Sequence, residues 1–268
     1  MNAIDDKARK LILRQAAAEA RRMAGKRGAK VADKFVRQYY QIVSTTDLTE
    51  RGAARLAGDA LAMLELSGRR KPGQIIVDVC DPGGSNEGSS TIHSVVHILS
   101  DDMPFLLDSS SAEMTRLGHT VHLIIHPVFR TRRDKTGKLM DFFAGKAPGI
   151  GVQNESMMSI TINRQGDPAR IKEIEKGLKS VLNDVYAAVE DWQAMRGKVQ
   201  DMIGEFKLRN SEGAVADIAE AQDFLQWAYD DHFTFLGYRE YNFAGPGLGA
   251  KARIDPGSGL GILRNPKR

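Results

Sequence analysis

The hydrophobic period of the chain changes at Gln74, and that change constrains the fold more than any other feature. Before it, apolar residues recur at helical spacing: Ile4, Leu11, Ile12 and Ala16, then Val31, Phe35, Tyr39 and Ile42, then Leu56, Leu61 and Leu64. Steps of three and four residues put such side chains on one face of a helix. The spacing predicts helices over 4–24 and 31–43 and a third ending near Leu66, with Gly25 and Gly28 as punctuation. After Gln74, "QIIVDVC" (74–80) and "TIHSVVHIL" (91–99) are β-branched runs, which favour a pleated, packed surface. Helices followed by strands with further helices between them define an α+β chain.

Turn signals divide the remainder. "SGRRKPG" (67–73) closes the helical lead-in, and "DPGGSNEGSS" (81–90) is a loop by composition. "LLDSSSAEMTRLG" (106–118) is a helix ending at Gly118, a C′ glycine. "HTVHLIIHPVFRTRR" (119–133) reads as one long strand covered on both faces, "DKTG" (134–137) as a hairpin turn and "KLMDFF" (138–143) as its return. "AGKAPGIGVQ" (144–153) is a loop and "SMMSITINR" (156–164) a strand. Pro168 opens a helix to about 189, with Ile171, Ile174, Leu178, Val181, Leu182 and Val185 on one face. Further helices are expected over 190–209 and 213–230, then an aromatic strand, "HFTFLGYREYNF" (232–243). The Gly/Pro-rich end is expected to close no helix or sheet.

Several function classes fall away. The chain has no run of 18 apolar residues, so no transmembrane helix is expected. The N-terminus lacks the apolar core of a secretory signal, and Asp5, Asp6 and Glu19 argue against a transit peptide. With one cysteine, Cys80, neither a disulfide framework nor a cysteine zinc site can form, and a reducing cytoplasm is the expected location. His93 and His97, like His122 and His126, are four apart on strands. At a rise of about 3.3 Å per residue each pair is roughly 13 Å apart, so neither closes a metal site alone. "GSGLGILR" (257–264) and "GKAPGIG" (145–151) lack the context of a dinucleotide or phosphate loop. No cofactor, metal or catalytic residue is therefore expected in this chain.

Charge is unevenly placed. Residues 7–37 carry eleven Lys or Arg against Glu19 and Asp33, and "FRTRRDKTGK" (129–138) is a basic hairpin. A basic nucleic-acid binder is one function compatible with that, but the strands lack the exposed aromatics that stack bases.

One stretch, "LSDDMPFLLDS" (99–109), places two acids and a proline where a strand hands over to a helix. Ser100, Asp101 or Asp102 can cap free amides, Pro104 suits a first helical turn, and Phe105, Leu106 and Met114 bury one face. The same corner can hold the polar end of a small ligand, making Asp101, Asp102, Met103, Pro104 and Phe105 the candidate effector-binding residues.

"DDMPFLLDS", followed by a helix, Gly118 and a strand, resembles the Asp-x-Pro-Gly-Leu-Leu corner of ACT domains, which are small βαββαβ regulatory modules. "FVRQYYQIVSTTDL", "HILSDDMPFLLDSSSAEMTRLGHTVHLIIHPVFRTRRD", "AAVEDWQAMRGKV" and "FLQWAYDDHFTFLGYREY", in that order, are similar to the N-terminal region of the large bacterial NAD-specific glutamate dehydrogenases over about 31–264. The resemblance implies a ferredoxin-like (βαββαβ) antiparallel sheet with helices on one face. It implies a helical N-terminal unit (1–72), an ACT-like domain (73–190), a helical connector (191–231) and the start of a following unit (232–268). It also implies a parent enzyme that oxidatively deaminates L-glutamate to 2-oxoglutarate and ammonia with NAD. The catalytic residues and the NAD fold of that parent would lie beyond Arg268. The partners it implies are the rest of that chain, further copies in a homo-oligomer, and an amino-acid effector. Where amino-acid-binding ACT domains have glycine after the proline, this chain has Phe105. A bulky ring there would fill the pocket, favouring a packing or subunit-interface role over sensing.

Overall fold

The computed structural model of the chain describes residues 3–80, 93–143, 151–211, 216–245 and 251–267. The expected loop over 81–90, and most of that over 144–153, lie outside them. The chain forms two compact units, 1–179 and 180–268.

The first unit opens with α1 (Ala3–Tyr39), broken at Gly25, whose φ of 65° and ψ of 177° are not helical. The expected gap between two helices is thus a kink at one residue. α2 (Thr45–Arg51) is capped by the Ser44 hydroxyl, which accepts the Asp47 amide, and α3 (Ala53–Leu66) follows. The sheet then begins with β1 (Ile76–Cys80) and β2 (His93–Asp101). Next come α4 (Leu106–Arg116), β3 (Val121–Ile125), β4 (Val128–Arg133), β5 (Leu139–Phe143) and β6 (Val152–Asn163). α5 (Pro168–Ser211) begins in this unit and ends in the next, one helix where two were expected.

The sheet is antiparallel throughout, in the order β1-β2-β6-β4-β5, with β3 also paired to β6. Since β2 and β3 both lie antiparallel to β6, they run parallel to each other, and α4 makes the crossover between them. The strand expected over 119–133 is two strands in line along β6, separated at His126 and Pro127. Proline has no amide to give a ladder; its carbonyl accepts the Met157 amide at 3.1 Å.

Strand alternation explains the layers. His97 and Leu99 share one face with Met157 and Ser159, their partners across the ladder. α1 and α3 cover this face in one core. There Phe35 stacks on Phe129 at 4.9 Å and meets the edge of Phe142 at 5.4 Å. On the other face Val96, Ile98, Met158, Ile160 and Ile162 are buried too, as are Leu106 and Met114 of α4 and Ile174 and Leu178 of α5. Helices therefore cover both faces, not one as expected. The reason is legible in β2 and β6, whose neighbouring residues are apolar in runs rather than alternately. The helical N-terminal unit expected over 1–72 shares its core with the sheet.

In the second unit α5 is followed by α6 (Ala216–Trp227) and a π-helical turn, Ala228–His232. The strand expected over 232–243 is only β7 (Gly237–Tyr238) and β8 (Tyr241–Ala244). The C-terminal stretch, expected to join no sheet, supplies β9 (Lys251–Ile254) to β8 and β10 (Leu260–Gly261) to β7. Its glycines serve close packing: a Cβ on Gly261 would lie 2.2 Å from the Leu236 carbonyl oxygen. Asp191 of α5 fastens this end, accepting the Gly261 amide at 2.7 Å and pairing with Arg264 at 2.7 Å.

Candidate functional site

The corner after β2 is built differently from its sequence-level reading. Asp101 does not cap α4. Its carboxylate accepts the Gly73 amide at 2.8 Å and a guanidinium hydrogen bond from Arg70. Asp102 donates its amide to the Asn154 carbonyl at 3.0 Å and leaves its side chain exposed. Pro104 is exposed and Met103 half-buried. Leu106 and Met114 are buried as expected, but Phe105 is 51% exposed and buries no face.

Phe105 has φ 69° and ψ 1°, and α4 starts after it without a side-chain cap. These are the angles of the third residue of a type II turn, with Pro104 in the second position, and such a turn favours glycine. A bulky residue there costs on the order of 1–3 kcal/mol. The backbone thus keeps a glycine conformation while the side chain is phenylalanine.

Behind the corner is a buried ionic cluster that sequence reasoning did not find. Arg70 is wholly buried and pairs with Glu155, also wholly buried, at 2.9 Å. Arg133 grips both oxygens of Glu155 at 2.6 and 2.7 Å and donates to the Ser67 and Gly137 carbonyls. Burial alone would raise the Glu155 carboxyl; the hydrogen bonds from Arg133 and the charge of Arg70 outweigh it and hold it below its ordinary value. The cluster ties the 67–74 turn, β2, β4 and β6 together directly beneath Asp101. "SGRRKPG" carries no periodic signal, so nothing in the sequence distinguishes Arg70 from a solvated loop arginine.

A second buried polar group lies between β2, β6 and α1. Ser159 Oγ meets His97 Nδ1 at 2.7 Å and Tyr39 Oη at 2.5 Å. A serine beside a histidine is the geometry of an activated nucleophile, but all three side chains are at most 4% exposed. Burial pushes the His97 imidazole down to about 4, and the group braces α1 against the sheet. Burial and then its hydrogen bond to Asp78 push the Cys80 thiol up to about 12, away from the reactive thiolate form.

Within each strand the two histidines go to different surroundings, as their spacing requires. His97 is enclosed, His126 meets the Ser156 hydroxyl at 2.8 Å, and His93 meets His122 across strands with ring centroids 4.3 Å apart. Among the described residues no group of three or more His, Cys, Asp or Glu is placed to hold a metal ion. No described helix is long and apolar enough to cross a membrane. The basic charge of 7–37 is partly consumed within the unit. Arg9 donates to the Tyr40, Gln41 and Val43 carbonyls, Arg21 and Arg37 pair with Asp33, and Lys34 pairs with Asp141.

The chain is similar to known proteins along most of its length. It is 30% identical over 230 residues to an NAD-specific glutamate dehydrogenase of Pseudomonas aeruginosa, covering 86% of this chain and 14% of that protein. It is 33% identical over 242 residues to that of Halomonas elongata, covering 90% of this chain and 15% of the other. For that of Mycobacterium tuberculosis the identity is 27% over 174 residues, 63% of this chain and 10% of the other. The chain thus spans about 14% or 15% of the length of the first two. Residues 35–178, which hold the end of α1, the whole sheet and the corner, match the family model "Glutamate dehydrogenase, ACT1 domain". On that match, the chain belongs to the glutamate dehydrogenase ACT1 domain family.

Proposed function

We propose that this chain is a non-catalytic regulatory and assembly segment of an NAD-dependent glutamate dehydrogenase, whose reaction is the oxidative deamination of L-glutamate to 2-oxoglutarate and ammonia. NAD and the catalytic residues belong to the remainder of that enzyme, and the partners are that remainder and further copies in a cytoplasmic homo-oligomer. The sheet is ACT-like in this reading: β2, α4, β3 and β6 supply the crossover and its central partner, while β1 takes an edge from the N-terminal side.

The observation that carries the assembly role is the apolar surface of the second unit. Phe224, Trp227, Phe233 and Phe243 are 47% to 72% exposed. Aromatic rings of this size are the side chains that dominate buried interfaces. The test is full-length enzyme carrying Trp227→Ser and Phe243→Ser together, examined by light scattering and steady-state kinetics. Loss of the native assembly with the isolated 268-residue chain still folded is the expected result. Unchanged assembly and unchanged kinetics would refute the role.

A second reading is supported by the glycine-like backbone of Phe105: an amino-acid sensor using Asp101, Asp102, Met103, Pro104 and Phe105 at a subunit interface. Thermal shift of the chain against the common amino acids, with Phe105→Gly alongside, tests it. A specific rise in either protein favours sensing. Silence in both removes it.

A further inference from the structure

At the opposite end of the sheet from the Asp101 corner, a cavity of about 260 Å³ lies between α2, α3 and the strands. Its walls include Arg51, Arg55, His93, His122 and Thr161. Arg51 is committed: it donates to the Thr161 hydroxyl at 2.7 Å and to Asp59 at 3.2 Å. Arg55 is held less firmly: it forms a long ion pair with Asp59, 3.9 Å from its Nε, and its terminal Nη2 is buried with no hydrogen-bond partner. A buried guanidinium nitrogen without an acceptor is costly, so the protein itself does not fully satisfy Arg55.

The histidines are brought there by an irregularity of the ladder. The pairing of β3 with β6 shifts register between Val121 and Leu123, so that His122 is the inserted residue of a bulge. Bulges redirect side chains, and this one sets the His122 ring edge-on to His93 from across β6. Two imidazoles and the Arg55 side chain then line one cavity.

We propose that this cavity binds a small oxyanion, a carboxylate or phosphate group, with Arg55 as the donor to its oxygens and His93 and His122 as its walls. The charges facing the site define how it behaves. Asp59 neutralises Arg51, the Asp47 carboxylate accepts the Ser44 hydroxyl, and Glu50 lines the exposed rim. With the His93 imidazole neutral, Arg55 and Arg51 share Asp59; with it protonated, the cavity gains a positive charge that favours an anion. Burial, the His122 ring and the charges of Arg55 and Arg51 hold His93 below its ordinary value. A bound anion opposes that, so binding takes up protons and tightens as pH falls.

The test is histidine-selective NMR of the 268-residue chain titrated with inorganic phosphate and, separately, with glutarate, at ionic strength matched with chloride. The expected result is a saturable change in the His93 and His122 ring signals. Affinity for glutarate should be at least about threefold higher at pH 6 than at pH 7.5, and Arg55→Gln should weaken it about tenfold with unchanged circular dichroism. A response to phosphate alone marks a phosphorylated ligand; a response to glutarate alone marks a carboxylate. If Arg55→Gln does not fold, His93→Gln should remove much of the pH dependence. No saturable change with either probe, equal affinity in both variants, or affinity independent of pH would overturn the site.

Discussion

The two units treat their apolar side chains in opposite ways. In the first, a sheet with apolar residues on both faces lies between two helical layers, and Phe35, Phe129 and Phe142 are at most 3% exposed. In the second, Leu182, Val185, Met195, Val199, Ile203 and Ala228 are the buried apolar residues of its described helices, while Trp192, Phe224, Trp227, Phe233, Tyr241 and Phe243 are 46% to 72% exposed. Burial of a large apolar side chain stabilises by about 1.5–3 kcal/mol. The first unit gains this within itself; the second leaves a large part of it available to whatever packs on it. Ion pairs follow the same division, wholly buried at Glu155 and half-exposed at Arg264.

The largest effect should come from the buried cluster. Glu155→Gln leaves Arg70 and Arg133 without their shared carboxylate, and urea unfolding should show a loss of about 3–5 kcal/mol. Arg264→Ala, whose partners are Glu190 and Asp191 in the second unit, should cost under about 1 kcal/mol. Comparable losses would break the contrast between the units.

Acid should act on the first unit through His97. Burial depresses its folded pKa to about 4 from 6.5. The unfolded chain therefore takes up a proton below pH 6.5 that the folded chain refuses until about pH 4. The stability is complete above pH 6.5 and is lost as pH falls through that window. Between pH 7 and pH 5 the loss should be about 2 kcal/mol, and His97→Gln should remove that increment.

Smaller changes should be gains. Phe105→Gly frees a left-handed backbone and sacrifices a ring that is half-exposed, so a rise of about 1 kcal/mol is expected in the same denaturation measurement. In α5, a Cβ on Gly197 would meet nothing within 4 Å. Gly197→Ala should therefore stabilise the helix by roughly 0.5–1 kcal/mol, visible as a higher melting temperature.

What the sequence discloses follows from how local each cause is. β1, β2, the 134–137 turn, α4 with its terminal Gly118, and the start of α5 at Pro168 all rest on period, turn chemistry or caps, and all are legible. The single strand over 119–133 misleads because the break at Pro127 needs the line of β6 to be seen. Coverage of both faces is present in "SVVHIL" and "MMSITI" but is not assigned to any helix until the fold is known. At the corner, Asp101 does not cap the helix and Phe105 is not buried, although local pattern suggests both. The partner of Asp101 is Arg70, 31 residues away, and the left-handed turn at Phe105 contradicts what its side chain prefers. The meeting of His93 and His122 depends on a bulge, which no one-strand pattern records.

β6 sets an order of events in time. It is the partner of β2, β3 and β4 at once, and it begins at Val152, well after β2 ends at Asp101. As the chain is made from its N-terminus, the apolar edge of β2 must wait without its neighbour until residues 152–163 emerge. α1, α2 and α3 rest on local turns and can form during that interval, offering a surface on which the unfinished sheet collects. The last strand of the sheet to be synthesised is the one that closes it, and the interval before it arrives is when this domain is most open to aggregation.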